Sequence, residues 1–177
     1  MRCFVAVWPA PDVADAIASL PRPAIDGLRW STREQWHVTL RFFGEIDRQS
    51  VHAATKALSK VADEVDGPVT ATGGPSTRLL GPALVIWPVD GLAGTAKAVQ
   101  QATDAIGQPL SERKFLGHIT LARGRRGTDL RPGARLLAPL ERTWPVTSLT
   151  LVQSELRPEG ARYRVVERFL LAQATRH

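Results

Sequence analysis

The stretches WHVTLRFFGE (residues 36–45) and LGHITLARGR (residues 116–125) share one pattern: His, a β-branched apolar residue, Thr and Leu. The two histidines, His37 and His118, lie 81 residues apart (118 − 37) in a chain of 177 residues that has four His. The odds that two of four histidines enter the same pattern by accident are on the order of one in a thousand. Duplication of a structural unit would also repeat a pattern, so the chemistry of the residues has to be considered separately.

Each pattern predicts a β-strand with one apolar and one polar face, because side chains alternate along a strand. The apolar face of the first strand, which includes Phe42, is expected in the core. Arg123 is expected to point away from His118, unless the strand bends at Gly124. The polar faces are expected to hold His37, Thr39 and Arg41 in the first strand and His118 and Thr120 in the second.

Two imidazoles and two hydroxyls around one cavity would suit phosphodiester chemistry. An imidazole has an ordinary pKa of about 6.5, so one can accept a proton from water while the other donates a proton to the departing oxygen. Thr hydroxyls can stabilise the charge that gathers on the non-bridging oxygens. If the two strands face each other, the repeated pattern therefore predicts acid/base catalysis without a metal.

Other readings of the motifs have less support. Two histidines could ligate zinc, but both motifs lack the usual third His or carboxylate. The sequence contains no phosphate-binding GxxxxGK[ST] loop, no GxGxxG after a strand, no HExxH and no GxSxG. We therefore expect no metal and no cofactor. His52 and His177 are expected on the surface.

Composition bounds the class of protein without deciding its function. The hydrophobic fraction of 44% is ordinary for a soluble domain, and the length suits one domain spanning residues 1–177. Long apolar runs and a signal peptide are lacking, and the single Cys3 fits a reducing cytosol, so we expect a cytoplasmic monomer that does not bind membranes. The net charge is +6, and 19 of the 23 basic residues are Arg, which is compatible with phosphate-bearing partners.

Hydrophobic periodicity predicts an α+β fold in which strands and helices alternate loosely. Helices are predicted over 11–20 with Pro11 at the first helical position, over 47–65 with Asp47 as the cap, and over 92–107 ending at Gly107. Residues 124–145 are predicted to be a long connection. Strands are predicted at 2–8, 36–44, 69–73, 77–80, 83–89 and 118–123, and as a pair at 146–156 and 161–172 around the turn RPEG.

At these residues the chain resembles the two-histidine phosphoesterases, specifically the LigT-like RNA 2′,3′-cyclic phosphodiesterases, also called 2′-5′ RNA ligases. The resemblance covers RCFVAVWP, HVTLRFFGE, LGPALVIWPV, HITLAR and LVQSELRPEGARYRVV, in that order along nearly the whole chain. One position departs from the family, which commonly has Pro before the second His, where this chain has Gly117.

The resemblance implies a bilobal α+β fold with two pseudo-symmetric lobes and a central cleft. It implies hydrolysis of a terminal 2′,3′-cyclic phosphate to a 2′-phosphate, and a reversible ATP-independent 2′-5′ ligation. By match to the family motifs, His37 would be the proton donor and His118 the proton acceptor. Thr39 and Thr120 would bind the phosphate.

Several further residues are candidates for substrate contacts. Arg41 and Arg123 could touch phosphate, and the basic connection with Arg125, Arg126, Arg131 and Arg135 could hold an RNA backbone or be a solvated loop. Phe4, Phe42 and Tyr163 could stack on a terminal base, although Phe4 and Phe42 also suit a core.

Two other functions stay open. One is an RNA- or nucleotide-binding module without turnover, and the other is a phosphodiesterase for a small cyclic phosphate.

Overall fold

The structure, a computed structural model, describes residues 1–132, 139–158 and 160–173. Three complete α-helices lie within these residues: α1 Pro11–Ala18, α2 Arg48–Glu64 and α3 Ala93–Ala102. The strands, in chain order, are β1 Arg2–Val7, β2 Leu28–Trp30, β3 Val38–Glu45, β4 Asp66–Gly67, β5 Val69–Gly73, β6 Arg78–Leu80, β7 Leu84–Asp90, β8 His118–Gly124, β9 Arg142–Val146, β10 Ser148–Arg157, β11 Gly160–Leu170 and β12 Ala172–Gln173.

Ten of these strands form one antiparallel sheet in the order β11-β10-β1-β3-β8-β7-β5-β9, with β2 added to β8 and β6 added to β7. The sheet has two halves that meet where β3 pairs with β8. In each half the chain runs through a strand, a helix and then a motif strand: β1, α1 and β3 in the first half, and β7, α3 and β8 in the second. This order explains why the motif appears twice at a long, fixed separation.

The helices bind the two halves of the sheet together. Helix α1 follows β1 of the first half but packs against β9 of the second, while α3 follows β7 of the second half and packs against β3 of the first. Buried apolar side chains from both halves form one continuous cluster, in which Trp87 and Trp144 stack with ring centroids 6.0 Å apart. Burying such large side chains supplies most of the hydrophobic stabilisation.

The α+β prediction is confirmed, and so are several local predictions. Pro11 begins α1, and the Asp47 carboxylate accepts a hydrogen bond of 2.7 Å from the backbone N–H of Ser50, which caps α2. The hairpin around RPEG is formed by β10 and β11, with Arg157 paired to Gly160.

Two predicted boundaries are wrong. Helix α3 ends at Ala102 rather than Gly107. The connection after β8 ends earlier than predicted, because residues 142–146 form β9 at the sheet edge. Pro145 is tolerated there because β9 pairs with β5 and ends the strand order. Among the described residues, no helix is long and apolar enough to cross a membrane.

Candidate active site

The two motif strands lie side by side at the centre of the sheet. Their antiparallel pairing joins Val38 to Ile119, and these two side chains are 1% and 0% exposed in the core. Because side chains alternate along a strand, the motif residues on either side of this pair project from the opposite face. The pairing therefore brings both polar faces to one place.

That face forms the floor of an open cleft of about 470 Å³. Both His and both Thr line it. The other side chains that bear on function are contributed by four further strands and by the ends of the motif strands. They are Arg2, Phe4, Arg29, Phe42, Arg123, Arg157 and Tyr163.

Each imidazole is oriented by the same backbone contact. His37 Nδ1–H donates to the carbonyl oxygen of Gln35 at 2.8 Å, and His118 Nδ1–H donates to that of Leu116 at 2.9 Å. A carbonyl oxygen can only accept, so both neutral rings carry their proton on Nδ1. Nε2 is then left for proton transfer, and in His37 it lies 3.1 Å from the Thr39 hydroxyl.

A β-bulge follows the Thr of each motif. Thr39 pairs with Ala6 of β1, whereas Arg41 pairs with the adjacent Val5, so Leu40 is the extra residue. In the second half a register shift of the same kind lies between the pairs that Thr120 and Ala122 make with β7, which makes Leu121 the extra residue. Both leucines are buried. The repeated Leu thus marks the position where each motif strand changes the direction of its following side chains.

This bulge corrects two predictions about the first motif strand. Arg41 does not share the His37 face, because the bulge at Leu40 turns it into the protein, where it is 5% exposed. Its guanidinium donates hydrogen bonds to the carbonyl oxygens of Ile106, at 2.9 Å, and Gln108. Phe42 is not a core residue but lines the cleft.

The equivalent bulge corrects the prediction for Arg123. Strict alternation directs it away from His118, but the bulge at Leu121 brings Arg123 into the cleft beside the second motif. The change of direction occurs before Gly124 and does not depend on a bend there.

The imidazole of His37 contacts three aromatic rings. The ring centroids of Phe4, Tyr163 and Trp8 are 4.8, 5.1 and 5.5 Å from that of the imidazole. We call these three residues the aromatic enclosure. Burial lowers the pKa of His37 to about 4, the hydrogen bond to Gln35 O opposes this shift, and the charge of Arg123 adds to it. The free protein therefore holds His37 neutral at neutral pH.

His118 lies in more open surroundings. Burial again lowers its pKa, the hydrogen bond to Leu116 O opposes the change, and the charges of Arg123 and Arg78 lower it further. The difference between the two imidazoles is thus mainly one of enclosure.

The remaining aromatic candidates are placed as walls of the cleft. Phe4 is 4% exposed and packs edge-to-face against Tyr163, so little of its ring is free for a base. Tyr163 is half-buried, and this burial raises its pKa despite the neighbouring charges of Arg123, Arg2 and Arg29. The guanidinium of Arg2 lies over the ring of Phe42 in a cation–π contact, 4.6 Å from the ring centroid.

Gly117, where the family commonly has Pro, makes a close backbone approach. Its carbonyl oxygen accepts a 2.9 Å hydrogen bond from the N–H of Val89. A Cβ atom at position 117 would lie 2.3 Å from the Val89 carbonyl oxygen. Any side chain, the Pro ring included, would push the backbone before β8 away from Val89 of β7. Gly therefore fits the local backbone that precedes His118.

Sequence reasoning missed three cleft arginines, Arg2, Arg29 and Arg157, which are far apart in the chain. The Arg-rich connection itself lies elsewhere. Arg125 and Arg126 line a separate shallow depression with Gly27 and Thr128, and the Arg131 guanidinium forms an exposed ion pair of 2.9 Å with Asp129. Arg135 and His177 lie outside the described residues.

Potential metal ligands are scattered over residues 1–132, 139–158 and 160–173. No group of three or more His, Cys, Asp or Glu side chains there is arranged to hold a metal ion. His52 is exposed on α2, away from the motifs.

The sequence comparisons each match a little over a third of the chain. The profile of the family described as LigT like Phosphoesterase matches residues 7–74, which contain the first motif. A relative named RNA 2′,3′-cyclic phosphodiesterase, from Thermus thermophilus, is 41% identical over 68 residues. This match covers 38% of the chain and 32% of the relative, so the chain matches about a third of the relative's length.

The solved structures extend the similarity over both motifs. The crystal structure of TT0787 from Thermus thermophilus covers 98% of this chain and 100% of its own, with 26% identity and a TM-score of 0.79. The E. coli LigT structure complexed with 3′-AMP covers 97% and 98%, with 25% identity and a TM-score of 0.73. The chain is therefore similar to the LigT-like phosphoesterases in sequence over residues 7–74 and in fold over nearly its whole length.

Proposed function

We propose that this protein hydrolyses the terminal 2′,3′-cyclic phosphate of RNA to a 2′-phosphomonoester. One observation carries the proposal: two His-x-Thr motifs meet across β3 and β8, with both imidazoles held through Nδ1 at the floor of one cleft. The activity for which the Thermus relative is named supports the choice of substrate.

The reaction needs one proton acceptor and one proton donor. In the proposed mechanism, which adopts the roles implied by the family motifs, Nε2 of His118 takes a proton from water as its oxygen attacks phosphorus. The bond from phosphorus to the 3′ oxygen breaks, and Nε2–H of His37 protonates that oxygen. The hydroxyls of Thr39 and Thr120 stabilise charge on the non-bridging oxygens.

The electrostatics add a condition to this mechanism. A proton donor with a pKa of about 4 is neutral at pH 7, so His37 must gain its proton when the substrate binds. A phosphodiester anion against the ring favours the charged imidazolium and raises its pKa. We therefore expect binding of a phosphate-bearing inhibitor to take up protons. Calorimetry in buffers of different ionisation enthalpy measures this uptake, and zero uptake at pH 7 would remove His37 as the acid.

The direct test is hydrolysis of an oligoribonucleotide with a 2′,3′-cyclic end in the presence of EDTA. The expected product carries a 2′-phosphate, which ³¹P NMR distinguishes from a 3′-phosphate. Metal independence is part of the prediction. Activity that disappears on chelation and returns with zinc or manganese would favour a metal mechanism.

The same displacement with an RNA 5′-hydroxyl in place of water forms a 2′-5′ phosphodiester as the 3′ oxygen leaves, so we include a reversible ATP-independent 2′-5′ ligation in the proposal. A binding module without turnover is the alternative from a different class. It would need no pair of imidazoles that are both oriented through Nδ1, and this feature favours the enzyme. A phosphodiesterase for small cyclic phosphates is separated by comparing substrates of different length.

Three further expectations belong to the proposal. They are a single two-lobed domain over residues 1–177, a monomer and a cytoplasmic location. Size-exclusion chromatography with light scattering tests the monomer.

A further inference from the structure

Two arginines stand directly opposite each other beside the second motif. Strand β2 pairs with the end of β8, and this register joins Arg29 to Arg123. Directly opposite side chains of an antiparallel pair have Cβ atoms about 5 Å apart, and like charges there destabilise the sheet. The flanking residues Leu28 and Trp30 pack against the core, which leaves Arg29 on the cleft face. The pair is thus an unfavourable arrangement unless an anion lies between the two guanidiniums.

The rest of the cleft has the same sign of charge. Arg2 and Arg157 also line it, and none of its described lining residues is Asp or Glu. Arg157 is partly neutralised by a 2.9 Å ion pair with Glu155. Within the described residues, no carboxylate forms an ion pair with Arg2, Arg29 or Arg123. The cleft therefore offers more positive charge than one phosphate needs.

Backbone packing limits where the Arg29 side chain can lie. A Cβ atom at Gly160 would come within 3.0 Å of Arg29 Nη1 and 3.2 Å of Gln35 Nε2. The missing side chain at position 160 leaves room for both groups. Gln35 is itself fixed, because its Nε2 donates to the carbonyl oxygen of Ala161 at 2.8 Å. The guanidinium consequently lies over the hairpin end of β11, at the cleft, although the residue is exposed.

We propose that Arg29, together with Arg123, binds a second phosphate of the substrate, the phosphodiester one nucleotide before the cyclic end. The substrate class is then an oligonucleotide end of at least two nucleotides, and a cyclic mononucleotide fills only part of the cleft. This inference rests on the proposed function. Thr120 and Arg123 are three residues apart, so their Cα atoms are at most about 10 Å apart along the strand. A subsite at Arg29 therefore lies in the same cleft, within one nucleotide of the reacting phosphate.

The test compares substrates that differ in the charged group next to the cyclic end. The first is a cyclic mononucleotide, the second is that mononucleotide with a 5′-phosphate, and the third is a dinucleotide with a cyclic end. A fourth is the dinucleotide with an uncharged methylphosphonate at its internal linkage. Wild-type protein is expected to show a lower KM for the charged dinucleotide than for the methylphosphonate and the mononucleotide. The 5′-phosphate arm distinguishes a monoester source of the second phosphate from a diester source.

The informative variant is Arg29→Met, which keeps the apolar stem and removes the charge. We expect its KM for the charged dinucleotide to rise about tenfold, while values for the methylphosphonate and the mononucleotide change less than twofold. Its thermal midpoint should stay constant or rise, because a like-charge pair has been relieved. Arg125→Met, on the connection outside the cleft, is the matched control and should leave all four substrates unchanged.

Three outcomes would overturn the inference. Equal losses on the mononucleotide and the dinucleotide would place Arg29 at the reacting phosphate. No rise in KM on either substrate would mean that Arg29 does not bind substrate. A lowered thermal midpoint with losses on all four substrates would make its role structural. Failure of the proposed function looks different, since wild-type protein would then turn over none of the four. In that case, fluorescence binding of a 2′-phosphorylated dinucleotide against the mononucleotide still decides whether the Arg29 subsite exists.

Discussion

The two halves of the cleft use the same backbone but surround their imidazoles differently. In each half a His donates from Nδ1 to the carbonyl two residues earlier, and a Leu forms a bulge after the Thr. The bulges bring Phe42 and Arg123, which occupy equivalent positions of the two motifs, into the cleft. An aromatic ring therefore stands in one half where a guanidinium stands in the other.

This difference assigns separate tasks to the halves. The aromatic enclosure desolvates His37 and keeps it neutral in the free protein, whereas the charges of Arg123 and Arg78 lie near the more open His118. A duplicated backbone thus fixes the geometry of two imidazoles, which the proposed mechanism uses for proton transfer. The side chains that are not repeated make the two groups unequal.

The largest expected effect comes from removing either imidazole. His37→Ala and His118→Ala should each lower kcat about 10²–10⁴-fold, the range for general acid/base groups. The double variant should lose far less than the product of the two, because both groups act in one step. Single-turnover hydrolysis of a cyclic-ended oligonucleotide measures these rates. A near-normal rate in either single variant would remove that half from the mechanism, and His52→Ala on α2 serves as the control.

The enclosure of His37 should also appear in the pH dependence of stability. Its pKa in the folded state, about 4, lies below the unfolded value of about 6.5, so the folded state binds fewer protons between these values. The resulting contribution of His37 to the free energy of unfolding is fully present above about pH 6.5 and is lost as the pH falls to 4. It is up to about 3 kcal/mol, and less to the extent that the half-buried ring remains solvated.

Urea unfolding at pH 7 and pH 4.5 measures this loss. His37→Gln should lose less stability than wild type over that interval, while His52→Gln should lose the same amount as wild type. An unchanged pH dependence in His37→Gln would mean that the aromatic enclosure does not exclude the charged imidazole.

A substitution at Gly117 tests whether the second half tolerates a Cβ atom directly before His118. Gly117→Ala places a Cβ atom against the Val89 carbonyl and should cost about 1–3 kcal/mol of stability by overpacking. It should also lower kcat, because His118 follows directly. Gly94→Ala in α3 meets open space and is expected to be neutral or stabilising by up to about 1 kcal/mol. Thermal unfolding of both variants checks the contrast, and equal midpoints would refute the close approach.

The sequence predicted the parts of the fold that depend on local patterns. Alternation and turn residues identified both motif strands and the hairpin around RPEG, and the capping Asp47 identified the start of α2. It could not predict the bulges at Leu40 and Leu121, since a bulge is defined by pairing with a distant strand. The directions of Arg41, Phe42 and Arg123 were therefore misassigned.

The sequence did not predict Arg29 as a cleft residue, for a related reason. It lies in a three-residue strand that has no readable alternation of its own, and only its pairing with β8 turns it towards the cleft. The basic connection was the visible signal in the sequence, yet Arg125 and Arg126 line a different depression. Clusters along the chain were thus a poor guide to clusters in space.

The smallest expected effects concern Tyr163, which closes the aromatic enclosure at 5.1 Å from His37. Tyr163→Phe keeps the ring and should change kcat less than threefold, because the proposed mechanism assigns no proton to the phenol. Tyr163→Ala opens one side of the enclosure to water, so the pKa of His37 should rise towards its ordinary value. NMR titration of the His37 ring protons in both variants separates these outcomes. If the His37 pKa stays the same in Tyr163→Ala, desolvation by this ring does not cause the low value, and Phe4 and Trp8 must supply the desolvation. If it rises in Tyr163→Phe as well, the hydroxyl rather than the ring governs the imidazole.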